Sequence, residues 1–129
     1  MPTARTWREY PRRYRYEAGV CKKCGKWFFP PRLVCDACGH REFETKAMKR
    51  TGKILSYTRI HVPPKPFADQ APFAVAIVQM DDGPRITTQV ADATPEELQI
   101  GRPVKLEFRK IYTDGHHGPI NYGYKAVPI

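Results

Sequence analysis

A mainly β fold is predicted for this chain: short N-terminal helices, then a four-cysteine ribbon, then a five-stranded barrel. Three observations predict it. The only four cysteines fall in two pairs of identical build, Cys21-Lys22-Lys23-Cys24-Gly25 and Cys35-Asp36-Ala37-Cys38-Gly39. Residues 51–129 alternate apolar runs with glycine, proline and aspartate turns, the patterning of short strands. A single capped helix start interrupts those runs after the third, which is the element order of an OB-type barrel.

Residues 1–18 form a predicted helical arm. Pro11 removes a backbone donor and crowds the preceding turn, yet it suits the first turn of a new helix. Two short helices meeting near Tyr10 are therefore expected. Trp7, Tyr10 and Tyr14 recur at three- and four-residue spacing, an aromatic stripe beside a basic one of Arg8, Arg12 and Arg13. Such a stripe either packs on the protein's own ribbon or docks on another protein, because Trp, Tyr and Arg concentrate at binding hot spots. These six side chains are the candidate docking set.

Residues 19–50 form the ribbon. Two residues between paired cysteines let both sulfurs turn toward one point, and the following glycine relieves the backbone with φ > 0. Two such turns facing each other offer four thiolates in a tetrahedron, the ligand set of a structural Zn²⁺. The ten residues between the pairs suffice for a short hairpin. Two disulfides would need an oxidising compartment, but residues 1–20 carry five arginines and no apolar segment of a secretory signal. A redox pair ordinarily opens a helix in a βαβ unit, and no such pattern follows. Cys21, Cys24, Cys35 and Cys38 are the expected ligands, with His40 a surface residue. A closed four-thiolate site keeps no open position, so it stabilises and does not catalyse. Trp27, Phe28 and Phe29, ahead of Pro30-Pro31, are placed to cover the metal site on one side and the barrel end on the other.

Residues 51–129 form the barrel. A strand from Lys53 to Val62 is followed by a proline-rich connection, Pro63 to Pro72, and the apolar strand Phe73 to Met80. Asp81-Asp82-Gly83 is a hairpin turn, with glycine where positive φ is needed, and Arg85 to Ala91 returns as a third strand. Thr94, Pro95 and Glu97 supply an N-cap, a first-turn proline and a capping box, opening a short helix that Gly101 ends. Val104, Leu106 and Phe108 alternate with Lys105, Glu107 and Arg109 as a half-buried strand. The glycine-rich loop Asp114 to Pro119 leads to a last strand around Asn121 to Val127.

The formal charge is +9, unevenly spread. Residues 1–50 hold 13 Lys+Arg against 5 Asp+Glu, whereas residues 51–129 hold 9 against 8. Four zinc-bound thiolates would lower the first segment by a further two charges. Basicity belongs to the arm and ribbon. A barrel that binds single-stranded nucleic acid carries a positive groove on its own face. This near-neutral barrel argues against nucleic acid, which remains the alternative reading, with Tyr57, Phe67, Tyr112 and Tyr122 as its stacking platforms. No stretch is apolar for long enough to span a bilayer.

Over essentially its whole length the chain resembles the zinc-ribbon plus OB-fold family of acyl-CoA-associated proteins (domain of unknown function thirty-five). The resemblance rests on Trp7-Arg8-Glu9 and Tyr14, Cys21-x-x-Cys24-Gly25, Phe29-Pro30-Pro31-Arg32 and Cys35-x-x-Cys38. It continues through Gly52-Lys53-Ile54, Ser56-Tyr57-Thr58, the strand from Pro72-Phe73 to Met80, Ile100-Gly101-Arg102-Pro103-Val104 and Tyr122-Gly123-Tyr124-Lys125. What the resemblance implies is a non-catalytic subunit. Archaeal members bridge acetoacetyl-CoA thiolase and 3-hydroxy-3-methylglutaryl-CoA (HMG-CoA) synthase, so that acetoacetyl-CoA passes between them in the mevalonate pathway. The compact form with a Trp-Arg-Glu arm looks like that type.

No cysteine lies outside the two pairs, so the chain lacks a thiol nucleophile. His116 and His117 near Asp114 are the only clustered acid/base candidates, on a loop whose composition reads as a surface turn. Under the scaffold reading, Lys65, His116 and His117 are the candidate contacts to a CoA ester, by exposure and charge. Reduced thiolates and the missing signal point to the cytoplasm.

Overall fold

The computed structural model describes residues 3–115 and 117–129. One helix, α1, spans Ala4–Arg15 with Pro11 inside it, in place of the two short helices expected. Proline lacks only its own N–H, which would have bonded the Trp7 carbonyl, and on an exposed helix water can hydrate that carbonyl. Thr3 caps the N-terminus by accepting from the Thr6 N–H at 3.2 Å. Glu9 bridges to Arg13 at 2.8 Å and Arg5 at 3.5 Å, supporting the helix from within.

Tyr16 ends the helix in the left-handed conformation, φ 56°, and directs the chain into β1 (Glu17–Cys21). β1 is the middle of a three-stranded sheet, between β2 (Trp27–Phe28) and β3 (Phe43–Ala47). The segment between the cysteine pairs therefore does not form a hairpin of its own. Its two-residue strand pairs back on β1, Gly19 opposite Phe28, so that the hairpin encloses the first cysteine turn.

Five strands close into a barrel in the order β4-β5-β6-β8-β7, the OB arrangement. They are β4 (Thr51–Ile60), β5 (Phe73–Met80), β6 (Arg85–Val90), β7 (Pro103–Thr113) and β8 (Ile120–Pro128). On β5, Ala74, Ala76, Val78 and Met80 point inward in strict alternation and meet Ile54, Val104, Leu106 and Ala126. The capped turn after β6 is a single 3₁₀ turn, Pro95–Glu97, in which Glu97 accepts from the Thr94 N–H at 3.3 Å. Leu98 follows it into the core and plugs the barrel, 4% exposed. Phe108 departs from the half-buried pattern: it is 47% exposed, because β7 has by then left the core and faces α1. The proline-rich connection after β4 also contains an unforeseen 3₁₀ segment, Lys65–Gln70.

Helix, ribbon and barrel meet at Tyr16. Its ring, 3% exposed, lies 4.7 Å from Phe29 of the ribbon and 5.0 Å from Tyr124 of β8. The Met48 N–H donates to the Tyr16 carbonyl at 2.9 Å, and the Tyr124 hydroxyl donates to the Tyr14 carbonyl. The Tyr16 hydroxyl itself is buried and has no hydrogen-bond partner among the described residues, and burial pushes its ionisation up.

Two outcomes follow for stability. A buried hydroxyl without a partner costs about 1–3 kcal/mol, so Tyr16→Phe should leave stability unchanged or raise it by about 1 kcal/mol. Tyr16→Ala should lose about 3–5 kcal/mol in chemical denaturation; equal behaviour of the two variants would mean that the ring does not join the three parts. At Gly52, an added Cβ would stand 2.5 Å from the Gln79 carbonyl oxygen, where β4 passes closely over β5. Gly52→Ala should therefore cost about 1–3 kcal/mol in the same assay, with zinc content unchanged.

Candidate metal centre and docking surfaces

The two cysteine turns are built alike by their backbone. Gly25 N–H donates to the Cys21 carbonyl at 2.9 Å, and Gly39 N–H donates to the Cys35 carbonyl at 3.0 Å. The N–H of Cys21 bonds the Lys26 carbonyl at 3.0 Å, and that of Cys35 bonds the His40 carbonyl at 2.9 Å. Gly25 and Gly39 take φ of 76° and 74°, the left-handed region that glycine enters without penalty.

This repetition brings all four sulfurs within 4.8 Å of one another, with Cys21–Cys38 and Cys24–Cys35 at 3.5 Å. A tetrahedron with Zn–S bonds of about 2.3 Å needs sulfurs about 3.8 Å apart, so the donor set and its spacing fit Zn²⁺. The Cys24 backbone N–H, aided by that of Lys23, draws the Cys21 thiol down to about 6. Burial pushes the Cys35 thiol up, but the N–H groups of Cys38 and Ala37 outweigh it and leave it lowered. The second cysteine of each turn goes the other way: despite the N–H groups of Lys26 and His40, the neighbouring sulfurs and burial push Cys24 up to about 12 and Cys38 up as well. Each turn thus offers one ready thiolate, and a metal must displace the protons of the others.

Phe28 and Phe43 pack edge to face against the buried cysteines, while Trp27 and Phe29 turn the other way into the barrel core. The aromatic run covers both sides, as its position in the sequence suggests. Lys26 pairs with Asp36 at 2.6 Å, linking one cysteine turn to the other across the outside. His40 stays outside the sulfur cluster, 4.0 Å from Glu42.

The six candidate docking side chains divide between two faces of α1. Tyr10 and Tyr14 stack with ring centres 5.2 Å apart, and Tyr14 meets Phe108 edge-on at 5.1 Å. With Arg12 and Arg13 they line a cleft over the barrel whose edge is formed by Phe29, Pro30 and Pro31 of the ribbon, and Arg12 also borders the outer side of the helix. Trp7 is 68% exposed, and Arg8 lies on the other side of the helix with Pro11 and Arg15. The arm is therefore held at its C-terminal end and presents a free indole toward its beginning.

Lys65 is exposed on the connection after β4, and His117 is exposed on the loop after β7; His116 lies outside the described residues. Phe67 packs on Tyr112 at 5.5 Å and Gln70 donates to the Ile111 carbonyl at 2.6 Å, so the two segments share one end of the barrel. In OB folds these are the loops that take ligands. Of the four stacking candidates, Phe67 and Tyr112 pack on each other, Tyr122 stacks on Phe108 at 5.8 Å, and Tyr57 is 42% exposed. The sequence reading missed Tyr16, Phe108 and Tyr124 as a unit, because their partners lie at the opposite end of the chain.

A family model for the rubredoxin-like zinc ribbon domain of ChsH2 matches residues 8–44, and one for the C-terminal OB-fold domain of ChsH2 matches residues 45–109. A DUF35 domain-containing scaffold protein of Methanocaldococcus jannaschii is 43% identical over 97% of this chain and 89% of its own length. The chain belongs to the DUF35 zinc-ribbon and OB-fold family. A solved structure described as an Ltp2-ChsH2(DUF35) aldolase is similar to this member with a TM-score of 0.74. Its identity is 29%, over 95% of this chain and 91% of that one. The BbsA subunit of a benzoylsuccinyl-CoA thiolase from Geobacter metallireducens is 27% identical over 83% of this chain and 71% of its own length. Among the described residues, no helix is long and apolar enough to cross a membrane.

For the metal centre, the purified protein should carry one zinc per chain by elemental analysis, and the Cys21→Ser/Cys24→Ser variant almost none. Protons compete with the metal for thiolates, so zinc should stay bound at neutral pH and be released as pH falls. A chelating dye would follow that release; release on raising pH from neutral instead would contradict thiolate ligation.

Proposed function

We propose that this DUF35 protein is a non-catalytic cytoplasmic subunit that bridges acetoacetyl-CoA thiolase and HMG-CoA synthase. In this reading it helps acetoacetyl-CoA pass between them in the mevalonate pathway. The observation that carries the reading is the arm. A 12-residue helix with no buried side chain of its own is clamped at its C-terminal end and leaves Trp7 and Arg8 exposed. A helix with so little to bury gains from a partner's surface, and an exposed Trp beside Arg is the composition of a binding anchor.

The division of labour is a docking arm over residues 1–18, a zinc ribbon over 19–50 and a barrel over 51–129. The ribbon is tied through Phe29 to Tyr16, so the metal centre fixes the angle of the arm to the barrel. Relatives named as scaffold proteins and as a subunit of an acyl-CoA thiolase support the role. Lys65, His116 and His117, on the barrel's ligand loops, are the proposed contacts to the CoA ester.

Co-expression with a thiolase and an HMG-CoA synthase tests the bridging. Stoichiometric co-purification of all three is expected, whereas salt-sensitive binding to single-stranded nucleic acid without either enzyme would replace this reading with the alternative. Trp7→Ala should weaken assembly by about 2 kcal/mol or more while leaving the melting temperature of the isolated chain unchanged. Equal loss in both assays would make Trp7 internal packing.

A further inference from the structure

Between α1, the barrel and residues 29–31 of the ribbon lies a cleft of about 820 Å³, within the range of small-molecule sites. It exists because of how the barrel closes. β6 and β8 run parallel and share a single pair, Val90 with Ala126. β6 continues beside β5 back to Arg85, and β8 continues beside β7 back to Ile120, so their unpaired lengths face each other across a gap. Ile86–Thr88 and Tyr122–Tyr124 line the opening, crossed by a bond from the Thr88 hydroxyl to the Tyr124 carbonyl at 3.1 Å.

The roof of the cleft is charged and aromatic. Arg5, Arg12 and Arg13 reach it against the single carboxylate of Glu9, which pairs with Arg5 and Arg13. Arg12 forms no ion pair among the described residues. Stacked rings stand at both walls, Tyr10 on Tyr14 and Tyr122 on Phe108.

We propose that this cleft binds a nucleotide-type phosphate ester, its phosphoryl group on Arg12 and Arg13 and its flat base against Tyr10 or Tyr122. An uncharged apolar ligand would leave the excess guanidinium charge unanswered. A bare anion would leave the ring walls unused, whereas bases stack readily on such rings. The site deepens the function proposed above, since a CoA ester carries a phosphorylated adenosine, and it rests on that reading only for the source of the ligand. It adds a contact region distinct from the Lys65 and His117 segments proposed above.

The test uses the full-length zinc-loaded protein, titrated with ADP, CoA and inorganic pyrophosphate by calorimetry and by amide NMR shifts. ADP and CoA should bind and shift residues of α1, β6 and β8. Arg12→Gln should weaken both about tenfold, and Tyr122→Leu several-fold, with zinc content and melting temperature unchanged. ADP binding without CoA binding would uphold the cleft and count against a CoA ester as its ligand in the complex. ADP binding without co-purified enzymes would uphold the cleft and sink the bridging role. Failure of both nucleotides to bind, pyrophosphate binding as tightly as ADP, wild-type affinity in Arg12→Gln, or shifts confined to residues 63–72 and 114–119 would each overturn the proposal.

Discussion

The packing of Tyr16 between Phe29 and Tyr124 is the interaction on which the rest of the arrangement depends. No secondary-structure element joins the ribbon sheet to the barrel, and α1 buries none of its own side chains. The three parts meet in one core, where Tyr16 packs with Ala18, Met48, Trp27 and Phe29 against the barrel, and are tied further by the backbone bond to Met48, the hydroxyl of Tyr124 and the contact of Tyr14 with Phe108. Tyr124 is itself braced by Phe108 at 5.5 Å and by the Arg50 guanidinium over its face at 5.0 Å. Aromatic contacts of this kind contribute about 0.5–1.5 kcal/mol each beyond their buried area, so the joint is strong only as a cluster.

The metal centre gives that joint something firm to press on. Phe28 and Phe29 are neighbours in the chain but face opposite ways, one onto the cysteines and one onto the barrel core. A strand residue can do this because successive side chains alternate in direction. Thus the order imposed by four thiolates around one ion is transmitted by two adjacent aromatic residues. A closed four-sulfur site supplies rigidity and no chemistry, which agrees with the scaffold role proposed for this protein.

The proposed functions divide along the helix in the same way. One face of α1 looks over the splayed edge of the barrel, with Tyr10, Arg12, Arg13 and Tyr14, while Trp7 and Arg8 look elsewhere. A single short element therefore carries two surfaces of different chemistry. The outer one suits a protein, through an exposed indole and a cation. The inner one is concave, aromatic and cationic, and suits a small anion with a flat body.

The sequence by itself determined the metal centre and the order of strands. Cysteine turns are local: two residues and a glycine dictate where both sulfurs point, so the spacing carried nearly the whole geometry. Strand order followed from alternation along β5 and from turn residues such as Gly83, which are equally local. The tertiary structure alone decided the single helix through Pro11, the two faces of the arm and the cleft beside it. Those depend on contacts such as Tyr14 with Tyr124, 110 residues apart, and on a parallel pairing of β6 and β8 that stops after one residue pair. Neither leaves a periodic trace, because distant contacts are chosen by packing and not by the pattern of the segment that makes them.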